Sequence, residues 1–368
     1  MKIIQIIPAL SSGGGERFTV DLSNELHKQG HEVILCTLFD IEEEEIWKFY
    51  KSDIHPNIKL HNLKKKLGFD LSMYQKLYQF IKENQPDIVH SHLAVLKYIP
   101  LAVLRLNKKI KFFHTLHNDA SKLISGKIEY HLTKYLYKNY IQPVCISEES
   151  LKSYIELYNL HNAKLILNGR KAIQKTPDFE EVEEYINQIK TKGYKVILNI
   201  GRLDAQKNQS ELIRAVNTIN KLSKRIHLLI LGEGTEEFKK KITDQIIDDS
   251  VTLLGVKRNV SDYLFLSDAF ILSSIYEGMP ISLIEAFCAG CLPITTAVGG
   301  IRSMIQEGKN GLLIERTDAT SIDQTLEKYL SVSEIDRLAM QNQAKSDYQQ
   351  LYSIETCTQN YIKIYNEN

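Results

Sequence analysis

No two aspartates stand two residues apart anywhere in this chain of 368 residues, so the Asp-x-Asp pair that clamps a divalent cation between carboxylates is missing. Cysteine is sparse too. The five at 36, 145, 288, 291 and 357 are odd in number and scattered, which argues against a disulfide framework. Cys288 and Cys291 satisfy Cys-x-x-Cys, but no second ligand pair of suitable spacing accompanies them. Placed where a helix closes at Gly290, they read as two packed small residues. Net charge is almost absent: 46 Lys and Arg against 45 Asp and Glu leave +1, so bulk electrostatics give no reason to expect nucleic acid. No apolar run approaches the length of a membrane span, and the apolar start is too short for a signal peptide. No internal repeat or low-complexity tract appears. A cytoplasmic protein, at most peripheral at the inner face of a membrane, is the expectation.

The chain does have hydrophobic content of 43%, enough for two domains of ordinary size. Charge divides unevenly: residues 1–168 hold 22 Lys and Arg against 18 Asp and Glu, the remainder 24 against 27. Lys64-Lys65-Lys66 and Lys108-Lys109 with Lys111 are basic clusters of the first half. Such runs suit solvated loops or contact with an anionic membrane surface.

Apolar runs of strand length alternate with helix-period segments, the pattern of doubly wound parallel sheets. Strands are expected at 2–7, 32–37, 58–63, 87–91, 110–114 and 143–146, with helices clearest at 16–29, 71–84 and 148–158. After a turn at Asn168-Gly169 and a polar segment to Gly193, a second series follows. Its strands fall at 195–200, 227–231, 251–254, 269–272, 293–296 and 311–314, its helices at 209–222, 236–247 and 281–289, and a last helix spans 353–365. Two Rossmann-like α/β domains facing each other across a cleft are predicted.

Polar clusters sit where such sheets bind ligands, at the carboxyl ends of strands. Glu277 and Glu285 stand eight apart in Glu277-Gly278-Met279-Pro280-Ile281-Ser282-Leu283-Ile284-Glu285, around one strand-to-helix turn. Carboxylates accept hydrogen bonds from paired hydroxyls, and a helix start attracts an anion, so the block suits a sugar nucleotide. A plainer reading is that Ser282-x-x-Glu285 is only a capping box. Gly201-Arg202-Leu203-Asp204-Ala205-Gln206-Lys207 follows another strand, and two cations there would stabilise a diphosphate leaving group. Ser11-Ser12-Gly13-Gly14-Gly15-Glu16-Arg17 lies between the first strand and helix and is neither a Walker A loop nor a G-x-G-x-x-G fingerprint. His90 and His92 end one strand and are expected on opposite faces; His114 and His117 end the next. A metal site would require all four to converge.

Residues 13–17, 201–207 and 277–285 closely resemble the G-G-x-E-R, G-R-x-x-x-x-K and E-x7-E elements of retaining glycosyltransferases of the GT-B fold, the large group 1 family. The resemblance spans nearly the whole chain. It implies an acceptor-binding domain of residues 1–168 plus the last helix, about 353–368, and a donor-binding domain of 169–352. It implies hexosyl transfer from a nucleotide-diphosphate sugar, UDP- or GDP-linked, to a glycan, glycolipid or lipid-linked acceptor in surface polysaccharide synthesis, without cofactor or metal. Catalytic roles fall on His117, Arg202, Lys207 and Glu277. Donor binding adds Gly14, Gly15, Val256, Lys257, Gly278, Met279, Pro280, Ile281, Ser282, Leu283 and Glu285, with Glu277 on the sugar and Glu285 on the ribose. Glu16 and Arg17 border the acceptor.

The chain departs from the pattern twice. Leu167-Asn168-Gly169-Arg170-Lys171 lacks the usual Pro and Asp of the interdomain element, and Ala297-Val298 precede Gly299-Gly300 where many relatives carry an acid. A UDP-N-acetylglucosamine 2-epimerase of the same fold, or a non-catalytic binding subunit, are the competing readings. Acceptor recognition is expected in loops 93–98 and 117–127, and Tyr130, Tyr137 and Tyr140 suit either a lipid-linked acceptor or an ordinary helix surface.

Overall fold

Every strand pair among the described residues is parallel, and the strands sort into two separate sheets. The structure is a computed structural model that describes residues 1–123, 126–222 and 225–367. The chain divides into two units, residues 1–171 with 351–368, and residues 172–350.

In the first unit the order along the chain is β1 (Lys2–Ile7), α1 (Gly14–Lys28), β2 (Glu32–Thr37), β3 (Lys59–Asn62), α2 (Ser72–Asn84), β4 (Ile88–His92), α3 (Pro100–Leu106), β5 (Lys111–Leu116), α4 (Lys127–Asn139), β6 (Ile141–Cys145), α5 (Glu148–Tyr158) and β7 (Lys164–Leu165). The sheet runs β3-β2-β1-β4-β5-β6-β7. Strands covered on both faces need apolar side chains in succession rather than in alternation, and Ile3, Ile4, Ile6 and Ile7 of β1 are all fully buried. The C-terminal helix (Ile354–Asn366) belongs to this unit, and its Tyr361 and Tyr365 are buried with hydroxyls on Thr115 Oγ1 at 2.9 Å and His90 Nδ1 at 2.6 Å.

The second unit holds α6 (Phe179–Lys190), β8 (Lys195–Ile200), α7 (Gln209–Leu222), β9 (Ile226–Leu231), α8 (Glu236–Thr243), β10 (Val251–Gly255), α9 (Val260–Leu266), β11 (Ala269–Leu272), α10 (Ile281–Ala289), β12 (Leu292–Thr296), α11 (Ile301–Met304), β13 (Leu312–Ile314), α12 (Ala319–Ser331) and α13 (Glu334–Asp347). Its sheet runs β10-β9-β8-β11-β12-β13 over a core of Ile, Leu and Val from both sheet and helices.

All twelve expected strands are present, with ends displaced by at most two residues. β7 and α6 are among the elements that were not expected. β7 is two residues long and offers no apolar run, and α6 lies in the stretch read as a polar linker, although Val182, Ile186 and Ile189 bury one face at helical spacing.

Candidate functional site

Strand order reverses between β8 and β11 in the second unit, and loops leave their carboxyl ends at the kind of position where open α/β sheets bind ligands. Those two loops, 201–208 and 273–280, are stitched together. Ile275 N donates to the Gln206 carbonyl at 2.8 Å, Gln206 Nε2 to the Tyr276 carbonyl at 3.0 Å, and Ser273 Oγ to the Lys207 carbonyl at 2.9 Å. Glu277 Oε1 then accepts from Lys207 Nζ at 2.5 Å and from Ser274 Oγ at 2.6 Å. The Glu277 side chain is 7% exposed and that of Lys207 15%, so this is a largely desolvated pair with one carboxylate oxygen already committed. Thr296 Oγ1 holds the Ser274 carbonyl at 2.6 Å. Gly299, at φ +49°, brings the following loop against Glu277, where a Cβ would stand 1.9 Å from the Glu277 carbonyl oxygen.

α10 opens without a side-chain cap. Its N-cap is Pro280, so Ser282 lies inside the first turn and does not occupy the position a capping box requires. The plainer reading of Ser282 and Glu285 therefore lacks its geometry, and the N-cap residue offers the first turn no side-chain acceptor. Met279, Pro280, Ile281 and Leu283 are buried, while Gly278, Ser282 and Glu285 are partly exposed. Arg202 points outward, 72% exposed, with Nη2 3.4 Å from Asp204 Oδ2; it shares the loop with Lys207 but not the Glu277 pair. Val256 and Lys257 follow β10, the edge strand two places from β8, with Val256 exposed.

The first unit reverses between β1 and β4. Gly14 and Gly15 are not in a loop but in the first turn of α1, with Gly13 as N-cap. A Cβ on Gly15 would sit 3.2 Å from Leu93 Cδ2 and 3.6 Å from His117 Cγ, so glycine lets the helix start close onto the ends of β4 and β5. Glu16 is half-buried in that turn. Arg17 is buried, bonded to Asp21 Oδ1 at 2.6 Å and to Asp53, and lies over the Tyr50 ring.

The histidines require a correction. Residues two apart on a strand share a face, and His90 and His92 do so, their rings 4.2 Å apart. His92 Nε2 meets Gln5 Oε1 at 2.8 Å, and its Nδ1 meets His117 Nε2 at 3.0 Å. Gln5 Oε1 only accepts, so His92 donates from Nε2, accepts at Nδ1 from His117 Nε2–H, and leaves His117 Nδ1 as a lone-pair nitrogen. Burial holds His117 down at about 4 and His114 at about 3, and His90 and His92 lie well below the ordinary 6.5. His117 is thus a neutral hydrogen-bonding group at physiological pH. Among the described residues no group of three or more His, Cys, Asp or Glu is arranged to hold a metal ion.

Three residues that sequence reasoning missed complete the picture. Ser274 shares Glu277, and Gln5 with His92 sets the His117 tautomer. Asp21, fully buried, accepts from Arg17, from Arg170 Nη1 at 2.7 Å and from Lys171 N at 3.3 Å. This carboxylate answers the Arg170-Lys171 departure, and its only sequence signal is the i,i+4 spacing from Arg17. Of the tyrosines considered for an acceptor, Tyr137 is fully buried and Tyr130 packs on the same core. Residues 124 and 125 of the expected acceptor loop lie outside the described residues.

The two α/β units belong to the GT-B class, and two family models divide the chain between them: glycosyltransferase family 4 over residues 12–170 and glycosyl transferases group 1 over residues 181–347. The chain belongs to the group 1 glycosyltransferases and is a glycosyltransferase. It is 25% identical to the N-acetyl-alpha-D-glucosaminyl L-malate synthase of Bacillus anthracis, over 96% of this chain and 94% of that one. It is 26% identical to the UDP-Gal:alpha-D-GlcNAc-diphosphoundecaprenol alpha-1,3-galactosyltransferase of Escherichia coli, over 86% and 84%. Its fold matches the crystal structure of Anabaena Alr3699/HepE in complex with UDP and glucose at a TM-score of 0.83, with 16% identity and 99% of each chain covered.

Proposed function

We propose that this enzyme moves a hexosyl group, with retention of anomeric configuration, from a nucleotide-diphosphate sugar to a hydroxyl of a glycan or lipid-linked acceptor in bacterial surface polysaccharide synthesis. The observation that carries the reading is the Lys207–Glu277–Ser274 cluster at the β8/β11 reversal, beside the uncapped start of α10. UDP is the preferred nucleotide, since the E. coli relative is named for UDP-Gal and the Anabaena protein was crystallised with UDP. A lipid-linked acceptor follows the E. coli relative's name. The malate of the B. anthracis name shows that acceptors differ between relatives of this kind.

In this reading the free Glu277 oxygen holds sugar hydroxyls with the amides of 278–281, and Glu285 holds the ribose. The first turn of α10, residues 280–283, faces the diphosphate. Lys207 and Arg202 offset the charge that grows on the leaving phosphate, so no metal is required. Val256 and Lys257 border the base. The acceptor hydroxyl attacks on the face from which the diphosphate leaves, and a departing phosphate oxygen takes the proton. His117 accepts from a sugar hydroxyl through Nδ1, beside Gly14 and Gly15, while Glu16 and the ion-paired Arg17 shape the acceptor side. The enzyme works in the cytoplasm at the inner face of the membrane.

A panel of sugar nucleotides tests this. A true donor at about 100 times its Kd adds roughly 2.7 kcal/mol of stability, read as a rise in Tm, and the product's anomeric proton reports retention. No shift with any UDP- or GDP-sugar, or an inverted product, would overturn the proposal.

A further inference from the structure

Large apolar side chains are exposed at three of five successive positions between β3 and α2: Leu67 at 79%, Phe69 at 66% and Leu71 at 72%. The loop that carries them is built, not loose. Lys65 is buried, its ammonium donating to the Lys66 carbonyl at 2.7 Å and to the Gly68 carbonyl, over the rings of Phe39 and Tyr98. Asp70 accepts from Lys66 N at 3.1 Å, Ser72 N at 3.0 Å and Ser72 Oγ at 2.7 Å. Phe69 stacks on Tyr98 at 5.8 Å. The backbone is thereby held in a shape that leaves the three apolar groups in water, an arrangement that folding alone does not reward.

The tip is open: at Gly68, φ +77°, no atom beyond its own chain neighbours lies within 4 Å of where a Cβ would stand. Lys64, exposed with its ammonium 3.5 Å from Asp40 Oδ2, and Lys66, exposed, precede it. Beside it, Lys97 pairs with Glu129 of α4 at 3.6 Å, next to the Tyr98 that Phe69 covers. α4 already buries Thr133, Leu136 and Tyr137, yet it carries a second apolar stripe outward, Ile128 at 87%, Leu132 at 38% and Tyr135 at 49%, at i, i+4 and i+7.

We propose that residues 64–71, with the outward stripe of α4, insert into the headgroup region of an anionic lipid bilayer, the apolar tips entering the acyl boundary and the flanking lysines meeting lipid phosphates. Exposed apolar tips flanked by Lys64 and Lys66 suit a deformable, negatively charged surface rather than a preformed protein pocket. The inference deepens the lipid-linked-acceptor reading by stating how the enzyme reaches its acceptor, but it stands on the surface itself.

Co-sedimentation of the full-length protein with acceptor-free vesicles of phosphatidylglycerol and phosphatidylethanolamine, against pure phosphatidylcholine, tests it. The wild type should bind the anionic vesicles and release with salt. The Leu67→Ser, Phe69→Ser, Leu71→Ser triple variant should bind at least about tenfold more weakly, on the order expected for several CH₂ groups leaving the bilayer. Lys64→Gln and Lys66→Gln should each weaken binding about fivefold, which keeps the test open if the triple variant does not fold. Tm and UDP affinity of the triple variant should match the wild type. Wild-type protein that ignores anionic vesicles, variants that bind like wild type, or a wild-type dimer that the triple variant merely dissociates would overturn the proposal. A wild type that binds vesicles but no sugar nucleotide would count against the donor reading and leave the surface assignment standing.

Discussion

The two units share an architecture and differ in what they put at the same address. Each is a doubly wound parallel sheet with one reversal, β1/β4 in the first and β8/β11 in the second. At the first reversal the polar groups are buried and neutral: Gln5, His92 and His117 in series, and His90 between Thr115 and Tyr365. At the second they are charged: Arg202 is exposed, and Lys207 is paired with Glu277. A neutral network discriminates hydroxyls by hydrogen-bond direction, whereas cations and a helix start discriminate phosphates by charge. The comparison fits the proposed division between acceptor-side and donor-side recognition. It also makes the two units respond to different perturbations.

The first unit does hold a dense charge cluster, Arg17 and Arg170 around Asp21, and removing its centre should have the largest effect. Asp21→Ala leaves Arg17 and Arg170 without their buried carboxylate, and the expected loss is roughly 3–5 kcal/mol by urea denaturation. A loss below about 1 kcal/mol would mean that Arg17 is held well enough by Asp53 and Tyr50.

Acid should come next, and should act on the first unit. His114 at about 3, His117 at about 4, and His90 and His92 well below 6.5 refuse protons that the unfolded chain takes up at its ordinary 6.5. The unfolded state therefore binds more protons between these values, so stability is fully present above 6.5 and falls as pH drops toward 4. The expected loss between pH 6.5 and 5.5 is roughly 1 kcal/mol for each of His114 and His117, with His90 and His92 adding in the same direction. Thermal scans across that window check it, and a flat Tm would show that the network takes up protons while folded.

In the second unit the pair itself is the target. Lys207→Ala should cost roughly 2–5 kcal/mol of transition-state stabilisation in kcat/KM, with a smaller cost for the exposed Arg202→Ala. Near-normal turnover of Lys207→Ala at saturating donor would remove the leaving-group role.

Much of this was legible because buried parallel strands must be written as apolar runs, and runs such as 3–7 and 269–272 leave little choice. β7 was not legible since two residues carry no period, and α6 was passed over because its acidic face hid Val182, Ile186 and Ile189. Lys207 and Glu277 could be named from their spacing in known elements, but their mutual contact, and Ser274 as third partner, depend on how two loops are stitched. His92 was visible but assigned to the wrong face, which separated it from His117. Asp21 reads in sequence as one polar residue of an amphipathic helix, and only the fold brings Arg170 to it from 149 positions away.

The smallest expected effect is the most direct test of the central claim, that the Glu277–Glu285 block of the second unit holds a sugar nucleotide. Ribose contacts persist through the reaction, so losing one should appear as uniform binding, on the order of 1–3 kcal/mol. Titration of UDP into wild type, Glu285→Gln and Glu277→Gln by calorimetry should therefore show weakened affinity for Glu285→Gln at unchanged Tm. Glu277→Gln should keep UDP affinity near normal while slowing transfer. Unchanged UDP affinity in Glu285→Gln at unchanged Tm would contradict the claim.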